Sequence, residues 1–274
     1  MQFSRVLVTG ASGALGHTVA CGLRERGYAV RGFDRVPGRH GSEHLVGDLL
    51  DVEAVKAAAR EMDAVIHLAA VADRQRFAAE IVPHNIVGTH HVLEAARLAR
   101  VRRFVYASSC RVVGGLNWEG ERIGLDVGFV PSDHYGVSKA TGELLSDMYA
   151  RRFGMQIVCA RLGWFPRNVE EAEKLPNVSF GKRIFLSHAD ALRFFVRALE
   201  TAELSQATVF VVSKNDGDPA FDLEPARRLL GYEPEDSFPD GCHFSEEIRF
   251  ASPEFAPSLL PDGELTETRS PASP

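Results

Sequence analysis

The sequence predicts an α/β protein with a doubly wound parallel sheet and a small C-terminal cap. Short apolar runs rich in β-branched residues alternate with helical segments along the first 162 residues. A cluster of glycines separates the first of these runs from the first helical segment. Strands that alternate with helices pair in parallel, and right-handed crossovers then place helices on both faces of the sheet.

Each predicted element has a local signal. Buried parallel strands are continuous apolar runs, whereas helices repeat apolar residues every three or four positions. Gly27, directly after the first helix, is typical of a C-cap, and Pro83 fits the first turn of its helix, where a missing N–H costs nothing. The predicted strands cover residues 3–9, 28–33, 44–46, 64–68, 103–108 and 156–161, and the predicted helices cover 14–26, 52–60, 83–100 and 133–153.

The pattern changes after Gly163. Residues 164–183 are rich in charged and loop-forming residues, and they precede a predicted helix at 189–201, a strand at 208–212 and a helix at 224–230. We expect these segments to form a cap at the carboxyl edge of the sheet. The chain is therefore predicted to comprise a core at 1–162, a cap at 163–245 that is interleaved with the core, and a loose tail at 246–274, where Pro, Ser and acidic residues accumulate.

The composition argues against several classes of protein. A formal net charge of −6 disfavours a nucleic-acid or anionic-membrane partner. No leader pattern precedes the first strand, and no apolar run is long enough to span a bilayer. The cysteines lack metal-ligand or disulfide spacing, which is typical of reduced thiols in the cytoplasm; they are Cys21, Cys110, Cys159 and Cys242. We therefore expect a cytoplasmic protein without a bound metal.

The glycine cluster has the position of a phosphate-binding loop. A Cβ atom in such a turn clashes with a pyrophosphate or keeps the helix from packing on the strand. The helix N-terminus then offers free N–H groups to phosphates. The alternative is a glycine-rich turn without a ligand. The loop predicted to bind a dinucleotide comprises Gly10, Ser12, Gly13, Ala14, Leu15 and Gly16.

Two acidic residues extend this prediction to the adenosine half of the dinucleotide. Asp34 follows the second strand, where a carboxylate accepts hydrogen bonds from the ribose and repels a 2′-phosphate. This favours NAD over NADP, and the neighbouring Arg35 softens the preference. Asp48 and Leu49 end the third strand, where the adenine is expected to lie. The alternative role of Asp48 is a helix cap.

Three residues predict proton and hydride transfer at the same edge of the sheet. Tyr135 and Lys139 stand four positions apart on a predicted helix, which places both side chains on one face. A phenol with its ordinary pKa of ~10 is a poor base near neutrality, and a nearby ammonium stabilises its ionised form. Ser109 ends the fifth strand, where its hydroxyl can hold a substrate oxygen. This spacing alone often marks a surface pair, but the glycine loop and the serine favour the catalytic interpretation.

These motifs resemble those of the extended or atypical short-chain dehydrogenase/reductase family, also called the NAD-dependent epimerase/dehydratase family. The matching segments are VTGASGALG at 8–16, GDL at 47–49, HLAA at 67–70, NIVGT from Asn85, YASS at 106–109, YGVSK at 135–139 and SHAD at 187–190. The resemblance implies a Rossmann fold, an NAD cofactor and catalytic roles for Ser109, Tyr135 and Lys139. The residues that it places on the cofactor side are Gly10, Gly13, Gly16, Asp34, Asp48, Leu49, Leu68, Ala69, Ala70 and Asn85, together with Tyr135 and Lys139.

Within this family the sequence looks most like the short sugar-oxidising members, the uronate dehydrogenases and their relatives. Cys110 and Arg111 replace the Asn-His that usually follows the serine pair, and Ala72 and Trp164 take the places of two serines. Phe180 lies near the expected substrate-carboxylate arginine. The resemblance therefore leaves the substrate open, and the Cys-Arg pair does not match the Asp-Glu pair used in 4,6-dehydration.

Basic residues and a tryptophan are predicted to surround the substrate. Arg111 stands two residues after Ser109, so its guanidinium is expected at the pocket mouth, where it could clasp an anion. Trp164 would form an apolar wall. The alternative for Arg111 is an ion pair with a local acid such as Asp126. We expect an anionic or strongly polar small substrate, bordered by Ala72, Arg74, Cys110, Arg111, Trp164 and Arg183, with Arg167 and Lys182 as further candidates.

Two histidines are predicted to be structural. His67 ends the fourth strand, where packing is favoured over catalysis. His188 precedes Asp190 at the start of a predicted helix, where capping is favoured.

Three functions fit these residues. The leading prediction is an NAD-dependent oxidoreductase that acts on a CH–OH group of a sugar or a related small polar compound. The alternatives are an epimerase of sugars or nucleotide sugars that keeps NAD bound, and a non-catalytic dinucleotide sensor. The complete Ser, Tyr and Lys set argues against the sensor. The short C-terminal region argues against a large nucleotide-sugar substrate.

Two long helices predict a homodimer. The helices at 83–100 and 133–153 carry more apolar residues than one face of a sheet should bury. In the family that the sequence resembles, the corresponding helices commonly pair across a two-fold axis. The apolar residues are Ile86, Val87, Val92, Leu93, Leu98, Val137, Leu144, Leu145, Met148 and Tyr149.

Overall fold

Seven parallel strands form one sheet in the described part of the computed structural model, which covers residues 3–38, 43–72, 76–202 and 204–244. The strands are β1 (Arg5–Thr9), β2 (Ala29–Asp34), β3 (Glu43–Val46), β4 (Ala64–His67), β5 (Arg103–Ser109), β6 (Gln156–Leu162) and β7 (Gln206–Val211). The helices are α1 (Ala14–Glu25), α2 (Val52–Ala59), α3 (Gly88–Leu98), α4 (His134–Phe153), α5 (Val169–Lys174), α6 (His188–Glu200) and α7 (Glu224–Leu230).

The strand order is β3-β2-β1-β4-β5-β6-β7, which confirms the predicted doubly wound sheet. The order reverses at β1, whose last residue, Thr9, pairs in register with Phe33 of β2 and His67 of β4. Connections that leave neighbouring strands in opposite directions open a crevice at the carboxyl edge, where ligands of such sheets bind. The fold therefore places the expected ligand site just beyond Thr9.

Alternating side chains divide the sheet into two apolar faces. Val6 and Val8 of β1 are fully buried on the face that is covered by α1, α6 and α7. Leu7, between them, is fully buried on the opposite face, against α2, α3 and α4. A strand that is buried on both faces has no polar positions to alternate with, which explains why β1 is a continuous apolar run.

Two elements that the sequence assigns to the cap belong to the core instead. β7 pairs with β6 along its whole length, from Gln206 against Ile157 to Val211 against Leu162. α6 packs on the same face of the sheet as α1 and buries two phenylalanines there. Because β7 is hydrogen-bonded to β6 and its side chains are buried on both faces, it is a strand of the core sheet and does not cover a pocket. The cap assignment is therefore wrong for these two elements.

A smaller apolar cluster lies beyond the carboxyl ends of β5 and β7 and contains the remaining loops. Trp118 packs edge-on against Phe180 and Phe221, with ring centroids 5.1 and 5.9 Å apart. Cys110 and Ile184 belong to the same cluster. The loop-rich stretch at 164–183 also contains α5, which the sequence did not predict.

The helix predicted at 83–100 begins earlier, with a helical segment at Phe77–Val87 that runs into α3. The amide of Ile81 donates to the carbonyl of Arg76, five residues before it, at 3.2 Å, which is the bond of a wide π-helical turn. Pro83 therefore lies inside the helix, and its predicted place in the first turn is wrong. A 3.6-residue periodicity does not detect such wide turns, so the sequence pattern places the start of this helix too late.

The other predicted strands and helices agree with the structure to within a residue or two at each end. The predicted tail at 246–274 and Arg74 lie outside the described residues. Across the described ranges, no helix combines the length and the apolar character that crossing a membrane requires.

A buried ion pair anchors α4 on the sheet. Glu143 of α4 and Arg161 of β6 are each 4% exposed, and the guanidinium donates to both carboxylate oxygens at 3.0 Å. The hydroxyl of Ser108 on β5 donates to the same carboxylate at 2.5 Å. Removing one partner of such a pair leaves an uncompensated charge in the core.

We expect Glu143→Ala to lower the free energy of unfolding by about 3–5 kcal/mol, because Arg161 and Ser108 then lose their buried acceptor. The matched control is Asp147→Ala on the same helix, which removes an exposed pair with Arg151 and should cost less than about 1 kcal/mol. Urea unfolding of the three proteins measures both values. Equal effects of the two substitutions would contradict the anchoring role of the buried pair.

Candidate active site

The glycine loop closes tightly on its own backbone before α1 begins. Gly10 has a φ of 70°, and a Cβ atom on Gly16 would lie 1.9 Å from the Gly10 carbonyl oxygen. Gly13 occupies the N-cap of α1, and a Cβ atom built there would have that same oxygen as its nearest neighbour, at 3.4 Å. The first N–H groups of α1 have no acceptor within the helix, and Gly10 and Gly13 beside them line a cavity, which fits a pyrophosphate.

Asp34 lies beside this loop at the end of β2. Its Oδ2 accepts a hydrogen bond from the amide of Ser12 at 3.0 Å, and its Oδ1 accepts one from the amide of Val36 at 3.4 Å. The Ser12 hydroxyl donates to the Val36 carbonyl at 3.0 Å. A carboxylate that is oriented by backbone amides still has lone pairs for two hydroxyl donors, which fits the ribose of a dinucleotide.

A cavity of about 180 Å³ lies at the ends of β1 to β4. Asp48 borders it and does not cap a helix, because its Oδ1 accepts from the Leu50 amide at 2.9 Å while Asp51 caps α2. The predicted cofactor residues that line the cavity are Gly10, Gly13, Asp34, Asp48, Leu49, Leu68, Ala69 and Ala70. The cavity is also lined by Arg35 and by four residues that the sequence did not mark as cofactor residues, namely Phe33, Gly47, Val71 and His84.

Asn85 is buried and holds the segment that follows β4 in place. Its Oδ1 accepts from the amide of Val71 at 2.7 Å, and its Nδ2 donates to the Val71 carbonyl at 2.9 Å. Nδ2 also donates to Oγ of Ser138 at 3.1 Å, and the Ser138 hydroxyl donates to the carbonyl of Tyr135 at 2.7 Å. Asn85 therefore connects the cavity wall to the helical turn that carries Tyr135, and it does not line the cavity itself.

His67 is packed in the core, as the sequence predicts. Its Nδ1 lies 2.7 Å from Oγ1 of Thr9, and its Nε2 lies 3.1 Å from Oγ1 of Thr89. The Thr89 hydroxyl already donates to the carbonyl of Asn85 at 2.6 Å, so its oxygen accepts from Nε2–H, and Nδ1 accepts from Thr9. Burial, helped by the nearby charge of Lys139, lowers the pKa of His67 to about 3.

Tyr135 and Lys139 lie one turn apart on α4, as their spacing predicts. Lys139 is 3% exposed, and its Nζ donates to the carbonyl of Ala107 on β5 at 2.7 Å. The ammonium lies 5.5 Å from the centroid of the Tyr135 ring and 5.1 Å from that of Tyr106. Burial lowers the pKa of Lys139 to about 7. The structure thus places a buried amine beside the predicted catalytic phenol.

Ser109 ends β5 two residues after Ala107, close to the start of α4. Its Oγ accepts a hydrogen bond from the amide of Arg111 at 3.2 Å. Asp133 caps α4 through the amide of Gly136 at 2.7 Å, and its other oxygen accepts from Nε of Arg111 at 2.8 Å. Arg111 is therefore paired with a local acid, as in the alternative prediction, but its partner is Asp133 and not Asp126.

The other predicted basic residues also contact protein groups. Arg183 donates to the carbonyl of Trp118 at 2.6 Å and pairs with Asp218 at 3.0 Å. Arg167 pairs with Glu171, one helical turn further on, at 2.5 Å. Lys182, beside Arg183, is exposed.

The apolar candidates differ in their access to solvent. Cys110 is buried, and burial raises the pKa of its thiol to about 12, which argues against a nucleophilic role near neutrality. Ala72 and Trp164 are half-buried, and the amide of Trp164 donates to the carbonyl of Ile184 at 2.6 Å. Trp164 therefore remains accessible as a wall beyond β6.

The predicted capping role of His188 is wrong. Ser187 caps α6, because its hydroxyl oxygen accepts from the amide of Asp190 at 2.9 Å. His188 is buried instead, with its two ring nitrogens 2.8 Å from the carbonyls of Pro166 and His243. It therefore holds the loop after Trp164 against the C-terminal end of the described chain.

Comparison with known proteins identifies the relatives of this arrangement. The sequence profile of the NAD dependent epimerase/dehydratase family matches residues 6–165, which include the glycine loop and all three predicted catalytic residues. A uronate dehydrogenase from Pseudomonas syringae pv. tomato is 34% identical over 218 residues, 78% of this chain and 76% of that enzyme. An L-arabinose 1-dehydrogenase (NAD(P)(+)) from Haloferax volcanii is 30% identical over 254 residues, 85% of this chain and 97% of that enzyme.

Solved structures show the same relationship. The uronate dehydrogenase from Agrobacterium tumefaciens gives a TM-score of 0.74 at 30% identity, with 86% of each chain covered. A mutant of that enzyme complexed with NAD gives a TM-score of 0.75 at 30% identity, with 85% of each chain covered. By its motifs, its fold and these relatives, the chain belongs to the NAD-dependent epimerase/dehydratase family.

Proposed function

We propose that this protein is an NAD-dependent dehydrogenase that oxidises a CH–OH group of a sugar or a related small polar compound. The observation that carries the proposal is the buried amine of Lys139 beside the Tyr135 ring, at the edge of the sheet where Ser109 also lies. The similarity to a uronate dehydrogenase and to an L-arabinose 1-dehydrogenase over most of the chain supports it.

Ser109 and Tyr135 bind the reacting hydroxyl of the substrate. Because Oγ of Ser109 accepts from the Arg111 amide, its own hydrogen is left to donate to the substrate oxygen. Tyr135 accepts the substrate proton, and the charge of Lys139 stabilises the phenolate. The carbonyl of Ala107 keeps that charge beside the ring. NAD, when bound, supplies the hydride acceptor.

The residues around the cavity fit NAD. Gly13 and the N-terminus of α1 would contact the pyrophosphate, and Asp34 would accept hydrogen bonds from the adenosine ribose. The Asp34 carboxylate repels a 2′-phosphate, so we propose NAD and not NADP as the preferred cofactor. Arg35 borders the same cavity and limits that preference.

The charges around the carboxyl edge favour an uncharged polar substrate. Arg76, Arg111, Arg167 and Arg183 each pair with a carboxylate of the protein. A substrate anion at Arg111 would share the guanidinium with Asp133, which accepts from Nε and one terminal nitrogen of Arg111 and also caps α4. We therefore revise the expectation of an anion clamped by Arg111 and Arg183, and we propose an aldose whose ring lies against Trp164.

A substrate panel tests this function. Purified protein is mixed with NAD and with pentoses, hexoses, their uronates and their phosphates, and NADH absorbance is followed. We expect the highest kcat/KM with an uncharged aldose. A clearly higher kcat/KM with a uronate or a phosphate contradicts the uncharged substrate. Protein that retains NAD through purification and produces no NADH with any sugar would instead support an epimerase.

We expect Tyr135→Phe to lower kcat at least about 100-fold, because only the group that accepts the proton is lost. The dissociation constant for NAD should stay close to that of the wild type. Initial rates with the best substrate and calorimetric titration with NAD measure the two effects. A variant that keeps more than a few per cent of kcat would show that Tyr135 is not the base.

Lys139 predicts a pH dependence of stability in the cofactor-free protein. Its folded-state pKa of about 7 lies below the 10.5 of the unfolded chain, so between these values the unfolded chain binds the additional proton. Raising the pH from 6.5 to 8.5 should therefore stabilise the wild type, relative to Lys139→Met, by about 2 kcal/mol. Urea unfolding of both proteins at both pH values measures this difference. A difference that does not change with pH contradicts the prediction.

We also propose a homodimer that forms through α3 and α4. The structure buries three of the predicted interface residues, Val92, Leu93 and Tyr149, within its own core. Other apolar side chains of the helices remain exposed, with Leu98 and Leu144 at 53% and 57%. Exposed apolar surface of this kind commonly marks an interface between subunits.

Leu144→Asp should convert the dimer to a monomer, because it places a charge in the proposed apolar interface. The matched control is Val46→Asp on the edge strand β3, where the valine is 59% exposed and far from α4 in the strand order. Sedimentation at micromolar concentration should show a dimer for the wild type and the control only. A monomeric wild type would refute the proposed dimer.

A further inference from the structure

His84 borders the cavity that we assign to the adenosine half of NAD, and the proposed reaction does not use it. It lies on the wide helical segment before α3, with its side chain 16% exposed. Asp48, from the end of β3, borders the same cavity and is 38% exposed. The inference below concerns only this end of the dinucleotide, so it rests on the proposed cofactor and not on the substrate.

The hydrogen on the His84 ring is positioned by its own helix. Nδ1 lies 2.9 Å from the carbonyl oxygen of Glu80, one turn earlier. A carbonyl oxygen has no hydrogen to donate, so Nδ1 carries the hydrogen of the neutral ring. Nε2 is then a hydrogen-bond acceptor.

This acceptor lies next to a second one. Nε2 of His84 is 3.8 Å from Oδ2 of Asp48, whose Oδ1 is held by the amide of Leu50. Two acceptors from different elements therefore stand side by side at the cavity wall. An exocyclic amino group carries two N–H donors and suits both of them, whereas a carbonyl oxygen in the same place would face two lone pairs.

We propose that His84 supplies a second acceptor for the 6-amino group of adenine, beside Asp48, where the sequence already places the adenine. The protein then binds NAD in preference to nicotinamide hypoxanthine dinucleotide, in which a carbonyl replaces that amino group. Asp48 supplies a carboxylate oxygen as one acceptor, and Nε2 of His84 supplies the other. His84 is thus a residue that determines specificity for the base, and the backbone carbonyl of Glu80 sets its tautomer.

Calorimetric titration of the cofactor-free protein with each dinucleotide tests this proposal without any turnover. The wild type should bind NAD at least about tenfold more tightly than the hypoxanthine analogue. His84→Phe removes the acceptor and keeps a ring, so it should weaken NAD binding by about fivefold, the effect of one neutral hydrogen bond. The same variant should bind the analogue as the wild type does. His84→Gln retains a carbonyl acceptor and should preserve part of the preference.

His90→Phe is the matched control, because His90 belongs to the same continuous helix but is exposed beside Tyr149, outside the cavity lining. It should leave both dissociation constants unchanged. A wild-type ratio near one, or a preference for the analogue as expected of a protonated ring, overturns the proposal without any variant. Equal weakening of both dinucleotides by His84→Phe also overturns it, since that result means only a loss of packing.

Discussion

The buried amine of Lys139 sets the geometry of the proposed site. A charge in the core is costly unless it is bonded, and here the carbonyl of Ala107 on β5 accepts its hydrogen bond. Because that acceptor is part of the sheet, α4 has to lie over β5. One helical turn further on, Glu143 meets Ser108 of the same strand and Arg161 of β6. Two polar anchors on adjacent strand residues therefore fix the helix along the strand as well as above it.

A second set of buried polar groups joins the glycine loop to this helix. The amide of Ala69 donates to Oγ1 of Thr9 at 3.3 Å, and the Thr9 hydroxyl donates to Nδ1 of His67. Nε2 of His67 donates to Thr89, whose hydroxyl donates to the carbonyl of Asn85. The Asn85 side chain in turn reaches Ser138, whose hydroxyl donates to the backbone of Tyr135. The pKa of His67, about 3, keeps its ring neutral at any physiological pH. Protonation of His67 therefore does not interrupt the hydrogen bonds that connect the cavity wall to the turn that carries Tyr135.

Local sequence signals were sufficient for most of the fold. The glycine loop, the position of Tyr135 and Lys139 one turn apart on a helix, and nearly every strand boundary follow from periodicity and spacing, because these features lie within one element or at one turn. Local signals did not predict whether an element belongs to the core sheet or to the cap. β7 has an apolar pattern that fits a cap strand or a core strand equally well, and only its pairing with β6 distinguishes the two. The wide turns around Pro83 also escaped detection, because their periodicity is not that of an α-helix.

Less of the candidate site than of the fold could be predicted from the sequence. Arg111 was expected to face a substrate, but the identity of its partner depends on where the start of α4 lies, and no local pattern contains that information. His84 escaped notice for a related reason. It reaches the cavity from a helix whose sequence position says nothing about β3, and its relevance depends on a distance to Asp48 that only the folded chain defines. Contacts between distant elements are the part of the site that required the structure.

The glycine loop has a consequence for how such sequences diverge. At Gly16 any side chain would collide with the Gly10 carbonyl, so a change there damages the fold itself. Gly13 has an ordinary backbone conformation, and a Cβ atom there would make only an ordinary contact with the Gly10 carbonyl oxygen, so the fold does not require glycine at this position and the proposed pyrophosphate would be the constraint that does. Drift at position 13 with position 16 retained would thus mark a descendant that has kept the architecture and abandoned the dinucleotide.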